Sequence, residues 1–474
     1  MESRSVDAPD STTPNLQGEV EGSRRGTGPT ARRPAIAREI LALAIPALGA
    51  LVAEPLFTLI DSAMVGHLGT AQLAGLSLAS QILQTAVVLF VFLAYSTTSL
   101  TARALGAGDR AGAVREGVSA SWLAAGLGVA AASLLALTAP ALVDPLTADA
   151  AVAHQAVLYL RASAPGLIGM LIGFSTVGTL RGLQDTRTPL VVTTLGAVVN
   201  VGLNALLMYG LRMGVAGSGL GTSIVQLFMA GVYLAILRSQ ARLEGVPLRP
   251  SASGIGRSAR DGAPLVVRGL ALRAAGLATI LPVSRIDEAA LASYQVVLAV
   301  WTLTAFVLDA LAIAAQSLVG LALGRGKRDE LRDLLRVLTV WGAGAGVVLG
   351  IAIAAASPWL PALFGSDPAI RPIATAGLLA SCLGLPIAGI VFMLDGVLLG
   401  AGDNVFFAIA GPLQLLVLAP GLVLVDAARR AGASSAAVVA GAWIAYGLAY
   451  MGARLASNAW RTWRSATGPI PARG

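Results

Sequence analysis

Residues 105–110 read "LGAGDR", and residues 323–328 read "LGRGKR". Gly106 and Gly324 hold the same place in these two segments and lie 218 residues apart. The same offset relates other parts of the chain: "LRGLQD" at 180–185 and "LLGAGD" at 398–403, Pro140 and Pro358, and Leu73-Ala74 and Leu291-Ala292. One ungapped offset that joins four separate places predicts an internal duplication of the chain.

The composition indicates a membrane protein. The chain has 474 residues, of which 56% are hydrophobic and 12% are charged, and its mean hydropathy is +0.76. A soluble domain carries about 25% charged residues, so about half of the usual charge is missing. The net charge of +8 does not indicate a nucleic-acid partner, because the basic residues lie in short loops without interleaved aromatic side chains. The single cysteine, Cys382, excludes an intrachain disulfide.

The apolar residues are grouped into twelve candidate spans. A helix needs about 20 apolar residues to cross a bilayer, and such stretches lie near 38–64, 71–102, 118–142, 155–179, 188–209, 215–237, 264–284, 290–322, 334–356, 372–400, 404–425 and 435–457. Each copy of the repeat holds six spans, so both copies begin on the same side of the membrane. We therefore predict an all-α polytopic membrane protein with two six-helix lobes, related by a pseudo-two-fold axis along the membrane normal.

Polar segments give the predicted domain boundaries and the orientation. The expected order is a disordered cytoplasmic tail (1–35), an N-lobe (36–237), a cytoplasmic linker (238–262), a C-lobe (263–458) and a second cytoplasmic tail (459–474). With the N-terminus in the cytoplasm, 26 of the 33 lysines and arginines fall on that side, six fall on the other, and Arg273 lies within a span. Because cytoplasmic loops are enriched in these residues, we predict a multi-pass protein of the cell membrane with both termini in the cytoplasm.

Five segments of the chain resemble one family of transporters. They are "LIDSAMVGHLGTAQLAGLSLA" at 59–79, "STTSLTARALGAGDR" at 96–110, "RGLQDTRTPLVVTTLGAVVNVGLNALLMYGL" at 181–211, "TAFVLDALAIAAQ" at 304–316 and "FMLDGVLLGAGD" at 392–403. Together they are similar to helices 1, 2, 5, 8 and 10 of the multidrug and toxic compound extrusion (MATE) family, in its DinF-like branch. The resemblance covers roughly residues 36 to 460.

The resemblance implies a secondary antiporter that exports organic cations or other amphipathic compounds against an inward flow of protons or sodium ions. In the DinF-like branch, an aspartate on helix 1 is the proposed coupling residue, and a proline fifteen residues earlier bends the helix. Asp61 and Pro46 have this spacing. The family often has Asn-x-x-x-Asp on helix 5, whereas this chain has Asn200 and Asn204. The second carboxylate is absent, so the comparison favours protons over sodium.

Four polar residues of the N-lobe are candidates for ion coupling or substrate binding. Asp61 lies near the outer end of the first span, where an unpaired charge costs at least about 2.5 kcal/mol; the alternative is a solvated residue at the interface. Glu54 lies two helical turns earlier on nearly the same face, and it is either part of the proton path or a structural partner. Asn200 and Asn204 share one face of the fifth span and either hydrogen-bond Asp61 or join neighbouring helices. Burial favours the protonated form of a carboxyl group, so we predict that protonation of Asp61 is a switch and that Pro46 is its hinge.

Four further residues form a predicted polar cluster in the C-lobe. Asp309 and Gln316 lie seven residues apart on one face of the eighth span, Asp395 lies on the tenth, and Arg273 lies within the seventh. Arg273 is the one cation that the predicted spans place at depth, so we expect it to pair with Asp309 or Asp395. This pair is either a fixed structural bridge or part of a substrate site.

Other functions fit the sequence less well. A flippase for lipid-linked precursors, from the same wider superfamily, is the alternative, but it needs a more cationic cavity than Arg273 alone provides. An enzyme is not indicated, because the spans lack a Ser/His pair, paired aspartates on facing motifs and His-rich metal spacing. His67 and His154 fall in outer loops and are typical surface residues. We expect a monomer without cofactor or metal, whose partners are a small-molecule substrate, protons or sodium ions, and membrane lipids.

Overall fold

The computed structural model describes residues 29–326, 328–365 and 367–465. Twelve of the described helical segments are long and apolar enough to cross a membrane, and we number them α1 to α12. Their bounds are α1 Pro29–Gly66, α2 Thr70–Gly106, α3 Arg110–Leu146, α4 Ala150–Gly182, α5 Arg187–Gly210, α6 Val215–Leu243, α7 Ala252–Arg285, α8 Glu288–Gly324, α9 Arg328–Ala356, α10 Ile370–Ala401, α11 Asn404–Arg430 and α12 Ser435–Trp463. The predicted all-α fold with twelve membrane-spanning helices is confirmed.

Several of these spans contain a local irregularity. Val91 interrupts α2, short 3-10 turns end α3 and α7, and π-helical segments lie at Leu206–Gly210 in α5 and Ala445–Tyr450 in α12. A π-helical turn inside an α-helix frequently marks a functional site, because it changes the direction of the side chains around it. The π-helical segment of α5 therefore makes the residues just before it candidates for a functional site.

The helices extend past the polar boundaries that the sequence suggested. The first 28 residues of the predicted tail lie outside the described residues, and residues 29–35 of it are already helical. Helix α6 ends at Leu243 and α7 begins at Ala252, so only 244–251 of the predicted linker connects two helices. Hydropathy shows where a helix leaves the hydrocarbon, but the backbone hydrogen bonds of the helix can continue beyond that point into water. Helix α7, for example, begins only at its capping residue Ser251, whose Oγ accepts a hydrogen bond from Gly254 N.

The duplication is visible in the way the helices cross. Where α4 crosses α2, a Cβ added to Gly178 would lie 2.6 Å from the carbonyl oxygen of Ala94. Where α10 crosses α8, a Cβ added to Gly396 would lie 2.4 Å from the carbonyl oxygen of Ala312. The two glycines are 218 residues apart, and so are the two alanines. The same close helix contact is therefore present in each lobe.

Each lobe also has its own apolar core. In the N-lobe, buried residues such as Leu76 and Leu160 join α2, α3 and α4. In the C-lobe, Trp443 lies at the centre of an aromatic group, and its ring centroid is 5.5 Å from those of both Tyr294 and Trp301. Separate cores make each lobe a body that can hold its shape while its contacts with the other lobe change.

The two lobes meet on the side where α1 begins and α12 ends, which we call the terminus face. Here α2 crosses α8 so closely that a Cβ added to Gly106 would lie 2.2 Å from Leu321 O. A Cβ added to Gly324 would lie equally close, 2.2 Å, to Arg103 O. These two contacts are again related by the 218-residue offset. We call the contact of Gly106, Gly320 and Gly324 with the opposite helix the glycine crossing.

Hydrogen bonds between the lobes lie beside the glycine crossing. Gln316 Nε2 of α8 donates to the carbonyl oxygen of Tyr95 at 2.6 Å. Ser317 Oγ donates to the carbonyl oxygen of Arg181 at 2.6 Å, and Gln184 Nε2 donates to Ser317 Oγ at 2.5 Å. These bonds and the close backbones keep the lobes together at the terminus face in this conformation.

Replacing Gly324 by leucine should destabilise this conformation, because the new side chain overlaps the backbone at Arg103. Overpacking of this kind costs about 1–3 kcal/mol. We expect a lower thermal unfolding midpoint for the detergent-solubilised Gly324→Leu variant than for Gly276→Leu, since nothing lies within 4 Å of a Cβ at Gly276. Equal midpoints for the two variants would contradict the close crossing.

Candidate functional site

Asp61 is buried where three helices of the N-lobe meet. The residue is 4% exposed and lies near the end of α1. Its Oδ1 accepts a hydrogen bond from Asn204 Nδ2 of α5 at 2.9 Å and another from Ser218 Oγ of α6 at 2.6 Å. Among the described residues, Oδ2 has no donor. One carboxylate therefore links α1 to both α5 and α6 through neutral partners.

The local sequence explains how α5 and α6 reach this carboxylate. Asn204 directly precedes the π-helical segment of α5. On α6, a Cβ added to Gly221 would lie 2.0 Å from Asn204 Oδ1, so glycine leaves the room that the amide occupies. Ser218 was not among the predicted site residues. Its signal in the sequence is the run "GSGLGTS" at 217–223, which places small polar residues within an apolar span.

The other predicted N-lobe residues lie apart from this contact. Asn200 is one turn before Asn204 and does not bond Asp61; its Nδ2 is 3.5 Å from Thr222 Oγ1. Its Oδ1 is buried and has no partner among the described residues. Glu54 lies on α1, but its side chain is outside what the structure describes. The role of Glu54 in ion coupling stays a prediction.

Two adjacent cavities open beside these residues. The first has a volume of about 140 Å³ and is lined by Asp61, Tyr159 and other residues of α1, α2, α4 and α6. The second has a volume of about 120 Å³ and reaches Asn200. Both are large enough to hold several water molecules. The two cavities share Met170, Thr222 and Gln226 as lining residues.

Helix α1 contacts both lobes. The first half of α1 packs against the C-lobe, where Ile40 lies in the same apolar cluster as Leu335 of α9. Its second half carries Asp61 to α5 and α6. Pro46 lies between these halves, beside Ala47, which is buried against α8. Because proline has no backbone N–H, α1 lacks one helical hydrogen bond at the place where it passes from one lobe to the other.

A buried ionic group surrounds Asp395 in the C-lobe. Its Oδ2 accepts a hydrogen bond from Arg268 Nη2 of α7 at 2.7 Å and a shorter one from Arg454 Nη2 of α12. Its Oδ1 accepts a hydrogen bond from Asn458 Nδ2 at 2.6 Å. The guanidinium of Arg268 also lies 4.9 Å from the ring centroid of Phe407. Two cations share one carboxylate, so this group has a net positive charge.

The expected pairing of Arg273 is wrong. The structure pairs Asp395 with Arg268 and Arg454 instead, and the buried Nε of Arg273 has no partner among the described residues. The sequence prediction counted Arg268 and Arg454 with the cytoplasmic segments, because they lie close to the cytoplasmic ends of the predicted spans 264–284 and 435–457. A long arginine side chain can also carry its charge far from the place where its backbone lies.

Asp309 and Gln316 share one face of α8 but contact different groups. Gln316 bonds Tyr95 in the contact between the lobes. Asp309 is half-buried, and no described residue hydrogen-bonds its carboxylate. It interacts electrostatically with Arg181 of the N-lobe and with Arg268 of the C-lobe. The four predicted residues therefore do not form one compact site, and Gln316 instead joins the two lobes.

Comparison with solved structures identifies the class of this fold. The Vibrio cholerae MATE transporter VcmN, in a mutant form, has a TM-score of 0.81 at 18% identity, and the match covers 90% of this chain and 96% of that one. A MOP superfamily transporter from Pyrococcus furiosus has a TM-score of 0.80 at 21% identity and covers 90% and 95%. This chain therefore has the same fold as these two solved transporters.

Comparison of sequences identifies the family. The MatE family model matches residues 46–206 and 264–421. Protein DETOXIFICATION 44, chloroplastic, from Arabidopsis thaliana is 31% identical over 450 residues, which are 92% of this chain and 83% of that protein. DNA damage-inducible protein F from Escherichia coli strain K12 is 29% identical over 376 residues, which are 76% and 79% of the two chains. The chain belongs to the MATE family of multidrug efflux transporters and is not an enzyme, so the resemblance is confirmed.

Asn204→Leu should destabilise the protein by about 1–3 kcal/mol, because it removes a donor from a buried carboxylate. In an Asp61→Leu background the same change should cost much less, which gives a coupling energy of about 0.5–3 kcal/mol in a double-mutant cycle. The free energies come from unfolding of the protein in detergent. Asn200→Leu is the matched control and should be additive with Asp61→Leu. Additivity for Asn204→Leu as well would show that the Asn204–Asp61 bond contributes nothing.

Removing the carboxylate of Asp395 should prevent stable folding, because it leaves two guanidinium groups buried without their counter-ion. Breaking a buried ion pair from one side costs about 3–5 kcal/mol. We expect little monodisperse Asp395→Leu protein by size-exclusion chromatography and a partial recovery when Arg454→Met is added. Arg273→Met should yield nearly as much protein as the wild type. A larger loss of monodisperse protein for Arg273→Met than for Asp395→Leu would instead support the pairing of Arg273 that the sequence suggested.

Proposed function

We propose that this protein is a secondary antiporter, which exports organic cations or other amphipathic compounds in exchange for protons that flow inward. Its two lobes open a central site alternately to each side of the membrane, and the protonation of Asp61 is the switch. The observation that carries this proposal is the burial of Asp61 between α1, α5 and α6, beside a cavity.

The partners of Asp61 support a change of charge at this residue. A charged side chain inside the membrane costs at least about 2.5 kcal/mol, and the hydrogen bonds from Asn204 and Ser218 offset part of that cost. Both donors are neutral, so a proton can bind Asp61 without leaving a cation unpaired. Hydrogen bonds to a charged group contribute about 1.5–3 kcal/mol and those to a neutral group about 0.5–1.5 kcal/mol. Protonation therefore weakens the attachment of α1 to α5 and α6.

The path of α1 supports a link between this switch and the lobes. The first half of the helix is packed on the C-lobe at Ile40, and the second half is held by Asp61 in the N-lobe. When protonation loosens the second half, α1 can bend at Pro46, where a backbone hydrogen bond is missing. The bend changes the N-lobe cavity and releases the substrate.

The donors around Asp61 favour protons over sodium. A metal cation requires several oxygen ligands that point toward it. Asn204 directs its amide nitrogen to Asp61, and Ser218 donates its hydroxyl proton. The site thus contains one carboxylate with its donors already oriented, which suits a proton better than a hard metal cation.

The distribution of lysine and arginine supports a cytoplasmic location of both termini. In that orientation, the glycine crossing closes the cytoplasmic side, and Asp61 lies near the outer side. We assign the protein to the cell membrane, where it acts as a monomer among lipids, although the Arabidopsis relative DETOXIFICATION 44 is named as chloroplastic.

Flipping of lipid-linked precursors is the second candidate function. Arg181, Arg268 and Arg454 bring more positive charge between the lobes than the sequence indicated. Transfer of a fluorescent lipid-linked pyrophosphate across liposomes, without any ion gradient, would favour this function over drug export.

Asp61→Asn should abolish gradient-driven transport while the protein still folds, because the change removes a buried charge but keeps the shape of the side chain. The assay is uptake of rhodamine 6G into proteoliposomes under an imposed pH gradient and, separately, under a sodium gradient. The matched control is Asp144→Asn, at an exposed position in the last turn of α3; it should transport like the wild type. In the same assay, Pro46→Ala should slow transport without reducing the amount of protein.

Two outcomes contradict the proposal. Proton-driven uptake by Asp61→Asn at the wild-type rate would exclude Asp61 as the switch. Uptake by the wild type under a sodium gradient alone would exclude proton coupling.

A further inference from the structure

Two clefts open on the outside of the helical bundle near the terminus face, one in each lobe. The first, which we call the C-cleft, has a volume of about 700 Å³ and lies between α1, α9 and the last turn of α12. The second, the N-cleft, has a volume of about 250 Å³ and lies between α3, α4, α6 and the connection from α6 to α7. Neither cleft shares a lining residue with the two cavities beside Asp61 and Asn200.

The repeat relates these two clefts to each other. Three positions of α3 that line the N-cleft are the equivalents, under the 218-residue offset, of three positions of α9 that line the C-cleft: Val118 and Arg336, Ser121 and Thr339, and Trp122 and Val340. The facing wall comes from α6 in the N-cleft and from its equivalent helix α12 in the C-cleft. The duplicated fold therefore forms this cleft once in each lobe.

Each cleft combines an arginine with a tryptophan. In the C-cleft, Arg336 lies on α9 and Trp463 lies on α12. In the N-cleft, Arg238 lies on α6 and Trp122 lies on α3. The two residue types are thus on opposite walls in the two lobes. The combination is present twice although the repeat does not supply it, which points to a ligand of the same chemistry in both clefts.

The two arginines are available to a ligand. Both are exposed, and no residue that the structure describes forms a hydrogen bond or an ion pair with either guanidinium. The nearby carboxylates do not pair with them: Asp333 lies one turn before Arg336 without bonding it, and Glu244, beyond Arg238, pairs with Arg110 at 2.9 Å. A guanidinium has five N–H donors in a planar fork, which matches two oxygens of one phosphate group.

A second arginine accompanies each cleft. Arg464 directly follows Trp463, and Arg242 lies one helical turn after Arg238. Both are exposed, and neither side chain is paired within the part of the chain that the structure describes. A zwitterionic head group would bring its own cation close to these charges, whereas an anionic head group would not. The clefts therefore favour a ligand with a net negative charge.

The apolar walls of both clefts face the surroundings of the bundle. Val340 and Trp463 are 69% and 39% exposed in the C-cleft, and Trp122 and Leu234 are 47% and 40% exposed in the N-cleft. On a membrane-spanning bundle, outward-facing apolar surface of this kind is covered by acyl chains. Tryptophan is enriched at the level of the lipid head groups. A ligand that fits both features has an anionic head group and apolar chains.

We propose that the two clefts are binding sites for anionic phospholipids of the leaflet at the terminus face, which is the cytoplasmic leaflet in the proposed orientation. The phosphate group binds Arg336 or Arg238, and the acyl chains lie along the outward-facing residues Val340 or Leu234. Basic pockets between spans on the cytoplasmic side bind anionic head groups in other membrane proteins. The inference goes beyond the transport function and does not depend on which ion drives it.

Native mass spectrometry of the purified full-length protein in a neutral detergent tests this proposal by counting bound lipids. The probes are dioleoyl phosphatidylglycerol and dioleoyl phosphatidylcholine, which share their acyl chains and differ in the charge of the head group. We expect two molecules of phosphatidylglycerol to bind the wild type more tightly than phosphatidylcholine does. Arg336→Gln and Arg238→Gln should each weaken one of the two binding steps about fivefold or more, and the double variant should weaken both.

Controls separate a specific site from general charge and from structural damage. Arg187→Gln makes the same change at an exposed position that lines neither cleft, and it should bind both lipids like the wild type. Arg336→Lys keeps the charge and should retain part of the affinity. Glycerol 3-phosphate, which has the anion without acyl chains, should not displace phosphatidylglycerol at equal concentration. All variants should keep the wild-type unfolding midpoint in lipid-free detergent, because the replaced side chains are exposed.

Three results overturn the proposal. Equal affinity for the two lipids would make the clefts ordinary contacts with bulk lipid, and displacement by glycerol 3-phosphate would make them sites for a free phosphate compound. An effect of only one of the variants Arg336→Gln and Arg238→Gln, or of neither, would contradict a pair of equivalent sites. Because the assay uses neither an ion gradient nor a transported compound, its failure leaves the proposed antiport intact, and failure of the antiport leaves the lipid sites intact.

Discussion

A charged side chain within a membrane-spanning bundle must find its partners in the protein, because the hydrocarbon offers none. Among the described residues, two carboxylates are fully buried, and they meet the requirement differently. Asp61 receives hydrogen bonds from two neutral side chains, whereas Asp395 is held between two guanidinium groups. A proton on Asp61 leaves nothing unpaired, but a proton on Asp395 would leave two buried cations. The N-lobe carboxylate is suited to a change of charge and the C-lobe carboxylate to a permanent link between helices.

The two copies of the repeat share their close helix contacts but not these buried polar groups. The helix contacts at Gly178 and Gly396 are equivalent under the 218-residue offset, as are those of the glycine crossing. By the same offset, Asp61 corresponds to Thr279 and Asp395 corresponds to Val177. Glycines at crossings are retained in both copies because a side chain would collide with the neighbouring backbone. The positions that face the cavities have no such constraint, so the two lobes carry different chemistry on one framework.

Helix α1 is placed to connect these two parts of the molecule. Its first half is packed with the C-lobe and its second half is bonded into the N-lobe. Among the described spans, only α1 combines two features. It carries the buried carboxylate of Asp61, which is bonded within the N-lobe, and it makes apolar contacts with α8 and α9. Pro46 lies at the change from one environment to the other. A local change at Asp61 therefore acts on a helix that touches both lobes, whereas the hydrogen bonds of Asp395 join helices of the C-lobe.

The sequence by itself determined the twelve spans and the two repeated lobes, because hydropathy and the spacing of repeats are properties of the chain along its own axis. It also placed Asp61 within the first span as a candidate for ion coupling. It also indicated Asn204, which lies one turn from Asn200 on the same face of α5. Only the tertiary structure decided that Ser218 is the second donor to Asp61 and that Arg268 and Arg454, rather than Arg273, hold Asp395. Such partners lie 59 or more residues apart, and Asp395 and Arg454 are the pair with the smallest separation. Which of them meet depends on how each helix is rotated about its axis and on how far its side chains reach, and neither is encoded in the hydropathy of a single span.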